Sequence, residues 1–402
     1  MRKSILLGLV MTGFSLALHF APIWVTMLNR GAQSWDGEPL NGDYIEEMVE
    51  DHRSGTDFSF RRRPLTTWCI DGLGAIGIPP KTAFIAIGFV FFLFSGVVVH
   101  RLARDLGSSQ DQALTAQAFF HASPTVLFAW FDPMYSYDEP IQYAALIGAF
   151  LAAQHGRTWI TIAALTVALI AHETSVLLFP AFILLLRPNT RRTILTVALP
   201  VILFILFLAA YLSAAEITDL SAADAVSRLG TLAFNFSDPT MTAETLCYLV
   251  LTLVLPVFLL ARYARTTPIS PEERERLKAF WIALALNTAL VLIAAKAREA
   301  RVFALPLILA WPLLGKAWTA EMERHGGWQG LAAPFSRIDV AVLFLAFAVA
   351  LAWVVGHVFV LSTGIQQDNL FHEYLVAELL FIAACLISDR ARRTGTGLLT
   401  TG

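Results

Sequence analysis

The sequence predicts an all-α, polytopic integral membrane protein of about twelve transmembrane helices with a large first outer loop. Three observations predict it. The 402 residues are 56% hydrophobic and only 15% charged, where soluble domains carry about a quarter charged residues. Apolar runs recur along the whole chain, many long enough to approach the roughly 20 residues of a spanning helix. The charges gather between those runs, with Lys and Arg unevenly shared between the two sides.

The first run, Ser4–Leu28, follows Arg2 and Lys3. It is longer than the apolar core of a signal peptide and reads as a retained first helix. Asn29–Pro64 is the longest polar excursion between two apolar spans. Inside it YIEEMVEDH reads as a short helix with Ile45, Met48 and Val49 on one face. Pro64–Pro80 carries closing prolines and several glycines and reads as an interfacial or re-entrant piece. Residues 29–80 therefore form one outer loop with short amphipathic and interfacial helices. The further spans are Thr82–Leu102, Ala113–Phe131, Pro140–Gln154, Trp159–Ala171, Ser175–Leu186, Thr193–Ala214, Thr245–Ala264, Phe280–Ala295, Val302–Trp318, Val340–Leu361 and Tyr374–Ser388. No internal repeat, low-complexity segment or soluble domain interrupts them, so residues 1–402 read as a single membrane-embedded domain.

Trp159–Ala171 and Ser175–Leu186 are both short for a span. One long tilted helix would put Arg157 and Arg187 on opposite sides, whereas two short helices keep both on one side. The second reading leaves His172, Glu173 and Thr174 at the tip, below the outer surface. Ionisable residues at membrane depth are costly and mark candidate functional positions.

With the N-terminus in the cytoplasm, most of the 29 basic residues fall in inner loops, which places both termini inside. Two basic clusters break the rule by facing out: Arg61, Arg62 and Arg63, and Lys296, Arg298 and Arg301. Either the outer acids neutralise them or they hold an anionic ligand, since buried Arg pairs bidentately with phosphate. The net charge of −2 does not decide the partner, and nothing in the charge placement suggests nucleic acid. Cys69, Cys247 and Cys385 are far apart, odd in number and beside apolar runs, which argues for neither a disulfide framework nor a metal site.

The acids of the first loop are the candidate base. Asp36 and Glu38 flank Gly37 after Trp35, and an extended turn brings both carboxylates toward one hydroxyl or metal. A lone D-x-E is a weak pattern, and carboxylates in such turns often bond backbone N–H groups. Asp43 with Glu46 also fits a capping box for the short helix. The next outer loop, FDPMYSYDEP, adds Asp132, Tyr135, Tyr137, Asp138 and Glu139, a mixture suited to sugar hydroxyls and ring faces. Asp138 or Glu139 otherwise caps the helix that Pro140 begins. His172 and Glu173 form a candidate pair, or a structural one. Arg298 and Arg301 share a helix face at a spacing of three, with Glu299 as their bland partner. Asn235 opens an N-F-S glycosylation sequon, a pattern common by chance.

WDGE…GDY, FSFRRRPLTTW, DPMYSYDE, AHETSVLLFP and REARVFALP, taken in that order, resemble the layout of the GT-C superfamily of membrane glycosyltransferases. The resemblance spans most of the chain and is one of layout rather than of a sharp signature. It implies an inverting transfer of a sugar from a polyprenyl-phosphate donor to an acceptor hydroxyl on a glycan, lipid or protein. It makes Asp36, Asp43 or Glu38 the base, and Arg62, Arg63, Arg298 and Arg301 the donor-phosphate ligands. Trp35, Asp138, Tyr137, His172 and Glu173 are then expected around the substrate. The chain departs from the family in having no plain Asp-Glu or Asp-Asp pair in the first loop, so the base stays open between Asp36 and Asp43. The site would face the outside or periplasm of the plasma (inner) membrane. No resident metal or cofactor is expected, with a divalent cation left open. A surface-polysaccharide polymerase or ligase would share this chemistry. A transporter or flippase of lipid-linked sugars would show repeats and midplane charges instead. A membrane acyltransferase would centre on His172 and leave the acidic loop unexplained.

Overall fold

A computed structural model describes residues 1–15, 32–33, 39–40, 44–54, 62–123, 137–186, 190–214, 231–295, 297, 300–359 and 371–396. Among these the chain is helical, apart from a two-residue antiparallel ladder pairing Ala32 with Leu40 and Gln33 with Pro39. In order the helices are α1 (Arg2–Ser15), α2 (Tyr44–Ser54), α3 (Leu65–Gly74), α4 (Pro80–Asp105), α5 (Gln110–Ala122), α6 (Glu139–Gln154) and α7 (Thr158–Ala171). They continue with α8 (Phe179–Leu185), α9 (Thr190–Ala214), α10 (Thr231–Asn235), α11 (Pro239–Thr266), α12 (Pro271–Ala294), α13 (Leu307–His325), α14 (Gly327–Ala332), α15 (Ile338–Trp353) and α16 (Phe371–Thr396).

Among the described residues, five helices are long and apolar enough to cross a membrane: Pro80–Asp105, Thr190–Ala214, Pro239–Thr266, Pro271–Ala294 and Ile338–Gly356. Within the described residues, the other expected spans coincide with helices that are shorter there or carry charge. The split has a physical basis in where each helix packs. α15 has no buried residue and exposes Leu343, Leu345 and Val349. A helix apolar all round that buries so little of itself suits lipid, not water. α6 and the first three turns of α13, by contrast, are buried on nearly every side. α6 and α13 thus lie in the middle together with one face of α4, and α15 lies at the rim.

The centre is aromatic. Trp311 of α13 meets Phe120 edge-on at 4.9 Å between ring centroids, and Phe120 in turn lies 5.4 Å from Phe92. α5 and α13 approach closely at Gly315, where a Cβ would stand 1.8 Å from the backbone oxygen of Gln112. Only glycine permits that approach. Helix starts follow local chemistry: Ser109–Gln112 and Ser270–Glu273 are full capping boxes for α5 and α12, and Asp238 caps α11 by accepting from the Met241 N–H.

The segment after α7 turns back as the sequence predicts. His172 takes an extended backbone (φ −157°, ψ 120°), ending α7, and a 3₁₀ turn over Glu173–Leu178 leads into α8. Gln142 bonds Ser175, and Phe150 stacks on Phe182 at 4.0 Å. The chain from Ser175 to Phe182 therefore runs alongside α6 in the same direction, returning past α7.

Candidate functional site

At the α3 end of this hairpin, three separate stretches meet. Pro64 begins α3 and leaves Arg62 and Arg63 directly before it, where the chain cannot yet be helical. Arg63 donates from Nε to Glu173 Oε2 at 2.9 Å and from Nη2 to Oε1 at 2.7 Å, the forked geometry of a planar guanidinium on a carboxylate. Arg62 Nη2 also donates to Glu173 Oε1. Burial tends to raise the Glu173 carboxyl, but Arg63, with His172 and Arg62 beside it, outweighs this and holds it far below the usual carboxylate range. The Arg63 guanidinium is raised in return, its acidic neighbours outweighing its burial.

Asp138 closes the cluster from the start of α6. Its Oδ2 lies 4.0 Å from Arg63 Nη1, and its buried Oδ1 has no hydrogen-bond partner. Burial pushes its carboxyl well above the ordinary range, with Arg63 offsetting only part of the effect. The two acids beside Arg63 are thus driven apart: Glu173 is an ionised partner and Asp138 is biased toward the protonated form. Environments that split neighbouring carboxyls in this way are what acid–base sites use.

The surroundings hold the cluster in place. Tyr137 donates or accepts at Thr67 Oγ1 (3.0 Å), and its backbone oxygen accepts from Thr66 Oγ1 (3.0 Å), so the 137–139 turn is tied to α3. Its ring is stacked on His52 at 3.6 Å and on Phe84 at 5.8 Å. Tyr137 therefore positions the turn, with its ring faces already in contact. Burial, aided by Arg63, keeps the His52 imidazole neutral, pulled down to about 4 although its bond to the Met48 carbonyl opposes this. Arg53 joins α2 to α3 through Asp71 at 2.5 Å. His172 Nδ1 accepts from the Thr174 N–H (3.3 Å) and meets Thr174 Oγ1 at 2.9 Å, the role of a helix cap. It lies 3.9 Å from Glu173 Oε2.

The expected residues divide accordingly. Arg62, Arg63, Tyr137, Asp138, His172 and Glu173 come together. Trp35, Asp36, Glu38, Asp43, Arg61 and Arg298 lie outside the described residues, and Arg301 is described only through its backbone, in a 3₁₀ turn over Ala300–Phe303. Gln142, Thr66 and Thr67, which carry no local signal, were not expected. Gln142 reaches Thr174 Oγ1 (3.1 Å) and Ser175 Oγ (3.0 Å), tying α6 to the hairpin tip. Asn235 proves to be a buried anchor. Its Nδ2 donates to the Leu292 and Ala295 carbonyls and its Oδ1 accepts from the Ala297 N–H, so it stitches α10 to the end of α12. A fully buried Asn235 is not presented as a glycosylation acceptor.

Compared with known proteins, the chain matches no family model, no curated protein and no solved structure.

Proposed function

We propose that the chain is a membrane glycosyltransferase that moves a sugar from a polyprenyl-phosphate donor to an acceptor hydroxyl on the outer side of the membrane. In this reading the shorter helices complete a bundle of about twelve spans. The observation that carries it is the pair of guanidiniums, Arg62 and Arg63, held side by side on one carboxylate at the end of the acidic loop. A forked, partly buried arginine pair is the arrangement that receives a phosphate, and Glu173 sets its orientation before a donor arrives. A first-loop carboxylate accepts the proton of the acceptor hydroxyl as its oxygen bonds to the anomeric carbon. The bond from that carbon to the phosphate oxygen breaks, and the electron pair leaves on the lipid phosphate, where preformed cations stabilise it. A donor delivered within the bilayer makes a nucleotide-binding domain unnecessary.

The test uses Arg298 and Arg301, because Arg62 and Arg63 also hold the fold through Glu173. Arg298→Ala and Arg301→Ala should each weaken binding of a polyprenyl-phosphate sugar to purified protein by roughly ten- to a hundred-fold, the worth of a charged hydrogen bond of about 1.5–3 kcal/mol. Both variants should elute from gel filtration like the wild type. Unchanged donor binding in both would make these arginines partners of Glu299 and remove them from the site.

A further inference from the structure

At the opposite end of the bundle, where Lys316 Nζ bonds the Leu106 carbonyl at 2.6 Å, α11, α13 and α16 meet at a buried polar joint. Glu321 and His325 stand one turn apart on α13, and Cys385 comes from α16. All three are buried, and one ligand atom from each lies within 4.8 Å of the others. Arg262 of α11 donates from Nε to Glu321 Oε2 at 2.9 Å and from Nη2 to Asp389 Oδ2 at 2.6 Å, while Arg324 lies 3.7 Å from the same Glu321 oxygen. Glu321 Oε1 is left facing His325 Nε2 at 2.9 Å.

Ser388 holds the ring of His325 in place. Its hydroxyl donates to the Gly330 carbonyl at 3.4 Å and also lies 3.0 Å from His325 Nδ1. Ser388 Oγ therefore holds Nδ1, which leaves Nε2 as the ring nitrogen turned to the carboxylate. With Cys385 in the same cluster and His325 fully buried, the carboxylate, the imidazole and the thiol offer one ligand atom each to a shared position. A carboxylate, an imidazole whose other nitrogen is held by a hydroxyl, and a thiol together make a metal-ligand set with its supporting hydrogen bond in place.

We propose that Glu321, His325 and Cys385 bind a divalent transition metal, with zinc the best match to mixed N, O and S ligands. On binding, the Cys385 S–H bond breaks, its proton passes to solvent and a sulfur–metal bond forms. His325 contributes a neutral lone pair and Glu321 its free oxygen. The metal clamps α13 to α16 beside the Arg262 ion pairs. The spacing of the three cysteines argued against a metal, but two of the ligands are not cysteines and the third lies 60 residues downstream.

The experiment uses full-length Cys69→Ser/Cys247→Ser protein in mild detergent, treated with chelator and then titrated with cobalt and zinc, so that Cys385 is the only thiol. The expected result is one cobalt per chain, a thiolate-to-cobalt charge-transfer band, its loss on adding zinc, and a higher unfolding midpoint with zinc bound. Adding Cys385→Ser should abolish the band. Ser388→Ala should keep it while weakening metal affinity about 10- to 100-fold. Protein that elutes as a folded monodisperse species yet takes up neither metal would overturn the proposal. A band that survives Cys385→Ser would overturn it equally.

Discussion

Asp36→Asn is expected to lower turnover by about 10²–10⁴, the usual contribution of a general base, with little change in donor binding. The substitution keeps the size of the side chain and most of its hydrogen bonds but removes the oxygen that would take the acceptor's proton. Asp43→Asn should cost far less, because asparagine caps a helix about as well as aspartate and Asp43 sits just before α2. Trp35 tips the choice, since on the proposed reading an aromatic residue next to Asp36 in the sequence would offer a ring face to a sugar. The measurement is acceptor-dependent release of lipid phosphate from a radiolabelled polyprenyl-phosphate sugar by purified protein. The opposite ranking would transfer the role to Asp43. No acceptor-dependent release from the wild type across a broad set of donors would count against the glycosyltransferase reading and favour a transporter, which has no chemical step.

Glu173→Gln should destabilise the protein by about 3 kcal/mol, the lower end of the range for breaking a buried ion pair, because the site is partly open to solvent. The loss comes less from the missing attraction than from leaving Arg62 and Arg63 without their shared counter-charge. A triple Arg62→Met/Arg63→Met/Glu173→Met variant should recover much of it, since apolar side chains of similar volume need no partner. It should also fail to bind the donor, separating folding from phosphate recognition. The pH dependence has a definite sign. The Glu173 carboxyl is depressed in the folded protein, so its contribution is fully present above the unfolded value of about 4.3 and is lost as pH falls toward the folded one. Thermal unfolding in detergent should show a constant gap between wild type and Glu173→Gln from neutral pH down to that value, narrowing in more acidic buffer. A gap that widens on acidification, or a variant as stable as the wild type at neutral pH, would mean the arginines are balanced elsewhere.

Much of this molecule could be read along the chain, because the relevant forces are local. A run such as Val340–Leu361 is apolar whatever it touches, so its helix and its preference for lipid follow from composition. Proline at 64 and 140 and the capping boxes at Ser109 and Ser270 mark helix starts within one turn of themselves. The break at His172–Thr174 was legible for a similar reason, since a polar triplet between two short apolar runs is too costly to bury in one continuous span. The basic clusters stood out because several Lys and Arg residues lie close together in a chain with few charges.

Partnership was not legible. Arg63 and Glu173 are 110 residues apart, and nothing near either one names the other. The sequence by itself determined an all-helical chain with apolar, membrane-spanning helices, a triple-arginine cluster and an ionisable hairpin tip. Only the tertiary structure decided that Glu173 at the tip is the shared partner of Arg62 and Arg63, that Tyr137 packs between His52 and Phe84, that Asn235 is an anchor, and that Cys385 meets His325 and Glu321. Hydropathy and caps act within a few residues, whereas these pairings depend on how deep and at what angle each helix packs. That packing is set by contacts such as Gly315 against Gln112 and Trp311 against Phe120, made between segments far apart in sequence.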